Sequence, residues 1–522
     1  RGNYAETLRE FRQVQALGAT IGSRMGGDIN SEIDALLSEV KREIDISTKR
    51  RIYCNRNIKM DGLELIGWDM DYTLALYNQE RLEHLSIELT LKKLIANHGY
   101  PEEILHIDFR SDLAIRGIVI DCPNGNVFKM DRHGYVGRVF HGTRELTKEE
   151  RAKQYRSGAK IRLSSNRYRW IDTLFGLPDA SMYMALVDWL DKNEKSPDYQ
   201  KLFVDIRNSI DEAHRDDTLK TVIKADMPGF VVKDPGLAEM LHKFRSSGKK
   251  LFLLTNSYWK YTQAVMSYLL DGERKAYPTW RSYFDFVIVA GSKPGFFNDR
   301  KPFLEVDLES GVASETAATE LRGGAVYQGG NIHDFEEMTK VRGERVLYVG
   351  DHIYGDLIRL KKSRSWRTAM VLQELQDENT TSERFEGQIR DLRLLDRRRR
   401  NLESEIDYQV LLLKQIQRLL DHCDASMKPR LSTAKEQARS TLDSLRTRSK
   451  TMLEEVYGLE RSIDLSYNPN WGAMFREGNE VSRFGQQVAD YADLYTSRAS
   501  NFLSYSPLRY FRAPRKSMPH EL

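Results

Sequence analysis

Four short runs along the chain are almost continuously apolar and stop on polar or glycine residues: LELIGWD (63–69), KKLFLLTNS (249–257), FDFVIVAGS (284–292) and ERVLYVGD (344–351). Runs of this length without polar alternation predict strands covered on both faces, as in a parallel sheet. Between them, GLAEMLHKFRSSG and KYTQAVMSYLL repeat apolar residues at helical spacing. Strands alternating with helices predict a doubly wound α/β domain with a mostly parallel sheet. Such sheets bind ligands beyond the carboxyl ends of their strands, where the polar residues gather here.

About 180 residues separate the first two runs, far more than a crossover requires. IVIDCPNGNVFKMDRHGYV predicts a small antiparallel element there, and WIDTLFGLPDASMYMALVDWLD and YQKLFVDIRNSIDEAH predict helices. An inserted α+β cap over the site is the expectation. In the last third, Leu392, Leu395, Leu402, Ile406, Leu413, Ile416 and Leu420 follow a 3,4 spacing interrupted by Arg399 and Gln409. Leu431, Ala438, Leu442, Leu445, Met452, Val456 and Leu459 resume it after DHCDASMKPR. Two helices joined by a turn containing Pro429 are expected to form an antiparallel hairpin. The domains expected are a helical arm (1–50), the first part of the core (51–100), the cap (101–225), the second part of the core (226–378), the hairpin (379–465) and a segment packing on the core (466–522).

Charge alters this picture little. There are 80 basic and 76 acidic side chains among 522 residues, so no global field calls for a nucleic-acid polymer or a membrane as partner. The run of arginines at 397–400 falls inside a predicted helix and is read as a solvated face. Cys54, Cys122 and Cys423 are odd in number and far apart, which suits a reducing compartment better than a disulfide framework. No apolar run is long enough to span a bilayer, and the opening RGNYAETLREF has no signal-peptide core. A cytoplasmic protein is the expectation.

The chemistry sits at the strand ends. Asp69 and Asp71 lie two positions apart, on one face of a strand, where their charges repel. GDHIYGD places Asp351 and Asp356 after another strand. Either pair alone also fits helix capping or turn chemistry. Four carboxylates meeting in one crevice would instead favour a divalent cation such as Mg²⁺. LLTNS adds Thr255, Asn256 and Ser257, donors suited to phosphate oxygens, and GSKP adds Lys293, a point charge able to neutralise a phosphoryl group. Elsewhere, Arg207, Asp211 and His214 share one helical face, which is also the spacing of an ordinary surface ion pair with a histidine beside it.

The ordered set DxD, Thr/Ser, Lys, GDxxxxD resembles the haloacid dehalogenase superfamily. Within it DMDYTLA, FLLTNS, SYFD, GDHIYGD and the terminal MPHEL resemble the cytosolic purine 5′-nucleotidases of type II, from about IYCNRNIKM to the last residue. That resemblance implies Asp69 as nucleophile, Asp71 as general acid and base, and Thr255 and Lys293 on the phosphoryl oxygens, with Asn256 and Ser257 assisting. It implies Mg²⁺ held by Asp69, Asp351 and the Asp71 carbonyl, with Asp356 supporting the ion from outside its ligands. Arg207, Asp211 and His214 would read a 6-oxopurine, with Lys220 reaching the phosphate side, so that IMP and GMP are preferred to AMP. It further implies phosphoryl transfer to nucleosides, an adenine-nucleotide effector near Tyr354 and Lys362, and a homo-oligomer of two or four chains. Trp68 and Arg215 depart from the phenylalanine and tyrosine usual in that family, and FHGTRE offers no clear aromatic for base stacking. The competing readings are a phosphatase of another small phosphate ester and a catalytically idle scaffold.

Overall fold

The computed structural model describes residues 46–110, 112–155, 161, 163, 166–358, 365–516 and 518–521. Most of the expected N-terminal arm therefore lies outside the described residues. Ten strands form the main sheet: β1 (Tyr53–Cys54), β2 (Leu65–Trp68), β3 (Lys250–Leu254), β4 (Phe286–Val289), β5 (Phe303–Val306), β6 (Ala313–Ala317), β7 (Val326–Gly329), β8 (Val346–Gly350), β9 (Arg367–Val371) and β10 (Leu494–Thr496). Their order is β1-β10-β9-β8-β2-β3-β4-β7-β5-β6. All contacts from β10 to β7 are parallel, and the outer pairings of β1, β5 and β6 are antiparallel. This is the expected doubly wound α/β core.

The four apolar runs are the four adjacent central strands. β2 is buried throughout, and its register sets Trp68 beside Leu253 on one side and Val349 on the other. The residues that follow each strand are thereby levelled into one row, which is how the sheet positions a site. Gly67 is required within β2, since a Cβ there would lie 2.1 Å from the Phe252 ring. The indole of Trp68, one residue before Asp69, points to the opposite face by strand alternation. It packs against Phe244 and Phe502 at 6.1 Å.

Between β2 and β3 the chain builds a five-stranded antiparallel sheet in the order 144–145, 136–141, 126–130, 118–121, 168–170. Helices Leu177–Asn193, Tyr199–Arg215 and Thr218–Ala225 follow. Asp198 caps the second by accepting from the Lys201 N–H at 2.9 Å, and Leu202, Ile206 and Ile210 bury its inner face. Helix Gln79–His98 packs on it from the core side.

Helices Glu386–His422 and Lys428–Tyr467 pair along their length, with Leu402 and Ile416 facing a seam of Ala438, Leu442, Leu445 and Val456. Pro429 is not in the connecting turn. It occupies the first turn of the second helix, where its missing N–H is an unpaired position in any case. In the basic run, Arg399 bridges Asp396 and Glu403 on its own helix, while Arg397, Arg398 and Arg400 are exposed. Cys54, Cys122 and Cys423 are free thiols. Among the described residues no helix is long and apolar enough to cross a membrane.

The segment after the hairpin adds β10 to the main sheet and also fastens the cap. Lys129 of the cap, fully buried, donates to the carbonyls of Trp471, Ala473 and Arg476 at 2.9, 2.7 and 2.5 Å. The Trp471 indole donates in turn to Leu113 O at 2.8 Å.

Candidate active site

The levelled strand ends bring the acidic, hydroxyl and lysine residues together. The Asp69 N–H donates to Val349 O at 2.9 Å, extending the ladder one residue past β2. Lys293 Nζ lies 2.8 Å from Asp69 Oδ1 and 2.8 Å from Asp356 Oδ1, and donates to the Tyr348 hydroxyl at 2.9 Å. One carboxylate oxygen from each of Asp69, Asp351 and Asp356 falls within 4.8 Å of the others. All three residues are buried.

The electrostatics follow from that crowding. Burial pushes the Asp69 carboxyl well above the usual carboxylate range; Lys293 opposes the shift, and Asp356, Asp351 and Asp71 reinforce it. Asp351 is pushed up to about 7, by burial first and by Asp356 second. Burial disfavours the charge of Lys293, but Asp356 and Asp69 outweigh it and hold the ammonium well above its ordinary value. Asp351 Oδ2 is buried and has no hydrogen-bond partner among the described residues. An unsatisfied carboxylate oxygen beside two further carboxylates is a donor set that suits a hard divalent cation.

Asp71 stands on the cap side of this cluster. Its Oδ1 accepts from the Tyr77 hydroxyl at 2.6 Å and its Oδ2 from the Ser257 hydroxyl at 2.8 Å. Burial raises its pKa, and these two donors oppose the rise. Asn256 and Lys293 are locked by a reciprocal pair: the Lys293 N–H donates to Asn256 Oδ1 at 2.6 Å, and Asn256 Nδ2 donates to Lys293 O at 3.0 Å. Thr255 Oγ1 accepts from the Ser257 N–H at 3.0 Å. Much of the polar capacity of Asn256 and Ser257 is thus spent on shaping the loop and holding Asp71.

The cap residues form a second group. Arg207 donates through Nη1 to Asp179 at 2.8 Å and through Nη2 to Asp211 Oδ1 at 2.7 Å. Asp179 is buried, and burial raises it to about 6 despite the Arg207 charge. His214 packs edge-on against Phe175 at 6.0 Å. Burial lowers its pKa, with Lys220 and Arg207 adding to the effect, which favours the neutral ring. Phe175 also meets Tyr72 at 4.7 Å, so an aromatic contact joins this group to the residue after Asp71. Lys220 Nζ lies over the Tyr261 ring at 5.9 Å, and the Tyr261 hydroxyl meets that of Tyr77 at 3.0 Å. Arg215 is exposed. The side chain of Tyr354 and all of Lys362 lie outside the described residues.

Sequence reasoning passed over Tyr77, Tyr348, Asp179 and Phe175. FHGTRE is not the aromatic donor: Phe140 packs on Trp471 at 4.7 Å. The aromatic beside His214 comes from TLFGLPD, where a phenylalanine just ahead of a proline-started helix was the available signal.

The sequence profile of the 5′ nucleotidase family matches residues 52–522. A 5′-nucleotidase domain-containing protein of Dictyostelium discoideum is 28% identical over 504 residues, spanning 94% of this chain and 80% of its own length. The 5′-nucleotidase domain-containing protein 2 of Rattus norvegicus is 27% identical over 517 residues, spanning 95% and 86%. A solved 2-haloacid dehalogenase from Pseudomonas syringae pv. Tomato DC3000 aligns over 59% of this chain and 86% of its own at 13% identity and a TM-score of 0.19, so the fold assignment stands on strand order alone. With the family profile running along nearly its whole length, the chain belongs to the 5′ nucleotidase family and is a hydrolase of that type.

Proposed function

We propose that the protein hydrolyses purine nucleoside 5′-monophosphates, preferring IMP and GMP, at a Mg²⁺-dependent site centred on Asp69. The observation that carries the reading is Lys293 bonded at 2.8 Å to both Asp69 and Asp356, with Asp351 beside them, its Oδ2 buried without a partner among the described residues. Asp69, Asp351 and the Asp71 carbonyl would hold the ion, and Asp356 would support it. Bound there, Mg²⁺ offsets the repulsion among the carboxylates and the charge of the phosphoryl group.

Asp69 attacks phosphorus opposite the 5′-oxygen, the P–O5′ bond breaks, and Asp71 gives its proton to the departing oxygen. Burial favours the protonated form that this step needs, and Tyr77 and Ser257 fix its orientation. Asp71 then takes a proton from the water that attacks the aspartyl-phosphate, releasing phosphate and restoring Asp69. Lys293 neutralises the phosphoryl oxygens, and the Thr255 hydroxyl donates to one of them.

Three of the five Arg207 donors are used by Asp179 and Asp211, leaving two for a 6-oxo group. Asp211 would accept from N1–H, His214 and Phe175 would flank the ring, and Lys220 would face the phosphate side. Adenine, with a 6-amino group and an unprotonated N1, mismatches both partners. On the resemblance alone rest phosphoryl transfer to nucleosides, an adenine-nucleotide effector, an oligomer of two or four chains, and action in the cytoplasm.

The test is phosphate release from IMP, GMP, AMP, a sugar phosphate and an aryl phosphate, with Mg²⁺ and with EDTA. IMP and GMP are expected to exceed AMP by about tenfold or more, with no release in EDTA. Equal rates on all three nucleotides would refute the base reading, and a sugar phosphate preferred to all of them would refute the nucleotide reading.

A further inference from the structure

We infer that Arg116, at the entry to the cap, is a positioning residue that fixes the Asp351 loop and so ties the candidate metal site to the cap. The inference rests on the proposed role of Asp351.

The Arg116 side chain is fully buried. It donates through Nε and Nη2 to the two oxygens of Glu374 at 2.6 and 2.5 Å, and through Nη1 to the main-chain carbonyl of Asp351 at 2.9 Å. Its guanidinium also lies over the Phe484 ring at 5.4 Å. Glu374 alone satisfies the charge in the bidentate geometry that suits a guanidinium. The further bond goes to the main chain of Asp351, whose Oδ2 is buried without a partner among the described residues. One cation thereby joins the cap entry, the loop after β8, the turn after β9 and the C-terminal segment.

A second contact repeats the pattern. The strand Ile118–Asp121 pairs with Tyr168–Trp170, and the Gly117 N–H donates to Ile171 O at 2.6 Å. Asp172 therefore leaves the cap sheet beside Arg116, and its Oδ1 meets His352 Nε2 at 3.1 Å. Two residues from one end of the cap sheet thus grip the consecutive residues 351 and 352. A residue that holds a ligand's backbone sets where its carboxylate points, and such supporting partners commonly change metal affinity by about 10–100-fold.

Two variants separate positioning from simple stabilisation. Arg116→Lys keeps the charge but lacks the fork needed to hold Glu374 and the Asp351 carbonyl together. Arg116→Met with Glu374→Gln removes both charges, leaving neither unpaired in the interior. Mg²⁺ binding to the nucleotide-free protein is measured by calorimetry, and phosphate release is followed as a function of Mg²⁺, with thermal midpoints recorded alongside. Both variants are expected to bind Mg²⁺ at least about tenfold more weakly, and turnover at saturating Mg²⁺ is expected to return close to that of the unaltered protein. Unchanged affinity in both variants overturns the inference, even if their thermal midpoints fall. Failure of the unaltered protein to bind Mg²⁺ overturns the reading of Asp351 itself.

Discussion

Several carboxyl groups in this molecule are buried where burial disfavours their charge. Away from the Asp69 cluster, Glu83 is buried with the Ser181 hydroxyl and Gln79 for partners, and burial raises its pKa from 4.5 to about 7. Between those two values the folded chain holds a proton that the unfolded chain has already lost. Stability from this group is therefore complete below pH 4.5 and is lost as the pH rises through about 7. Glu83→Gln keeps the shape and an acceptor for Ser181 but cannot ionise. It should stabilise the protein at pH 8 by on the order of 2 kcal/mol and leave stability at pH 4 almost unchanged, as read from urea unfolding at the two pH values. Equal shifts at both would show that Glu83 is not the titrating group.

At the level of elements, legibility followed the strength of local patterning. The four central strands are continuous apolar runs and could be read directly. β7, β9 and β10 could not, because Gln328, Arg367, Thr368 and Thr496 interrupt their short apolar stretches and their strand state comes from pairing with a neighbouring strand. β10 lies more than a hundred residues from the strand it joins. The hairpin was legible for the opposite reason, since its repeat runs over many turns. Its seam is largely its own, so damage there should stay local. Leu442→Ala, at a buried seam position, should cost about 2–5 kcal/mol and raise amide hydrogen exchange across 386–467, with nucleotide hydrolysis unchanged within about twofold. Loss of hydrolysis would show that the hairpin is coupled to the site.

For the molecule as a whole, the sequence displayed the residues that gather at the candidate site, and not what holds them there. Asp69, Asp71, Thr255, Lys293, Asp351 and Asp356 each follow a recognisable strand, and register brings them level. What spacing could not show was the support around them: Tyr348 under Lys293 and Asp179 behind Arg207 come from separate segments, Tyr77 reaches back to Asp71 from six residues on, and these roles exist only once the sheet and cap are assembled. Nor could it show that the segment after the hairpin fastens the cap through Lys129, a buried cation satisfied by main-chain carbonyls. The whole assembly converges on one claim, that Asp69 is the group that takes the phosphoryl unit. Phosphate release from IMP by the unaltered protein and by Asp69→Asn, both in Mg²⁺, tests it most directly. The account predicts a loss on the order of 10⁴-fold or more in the variant with its thermal midpoint preserved; undiminished release by Asp69→Asn would contradict it.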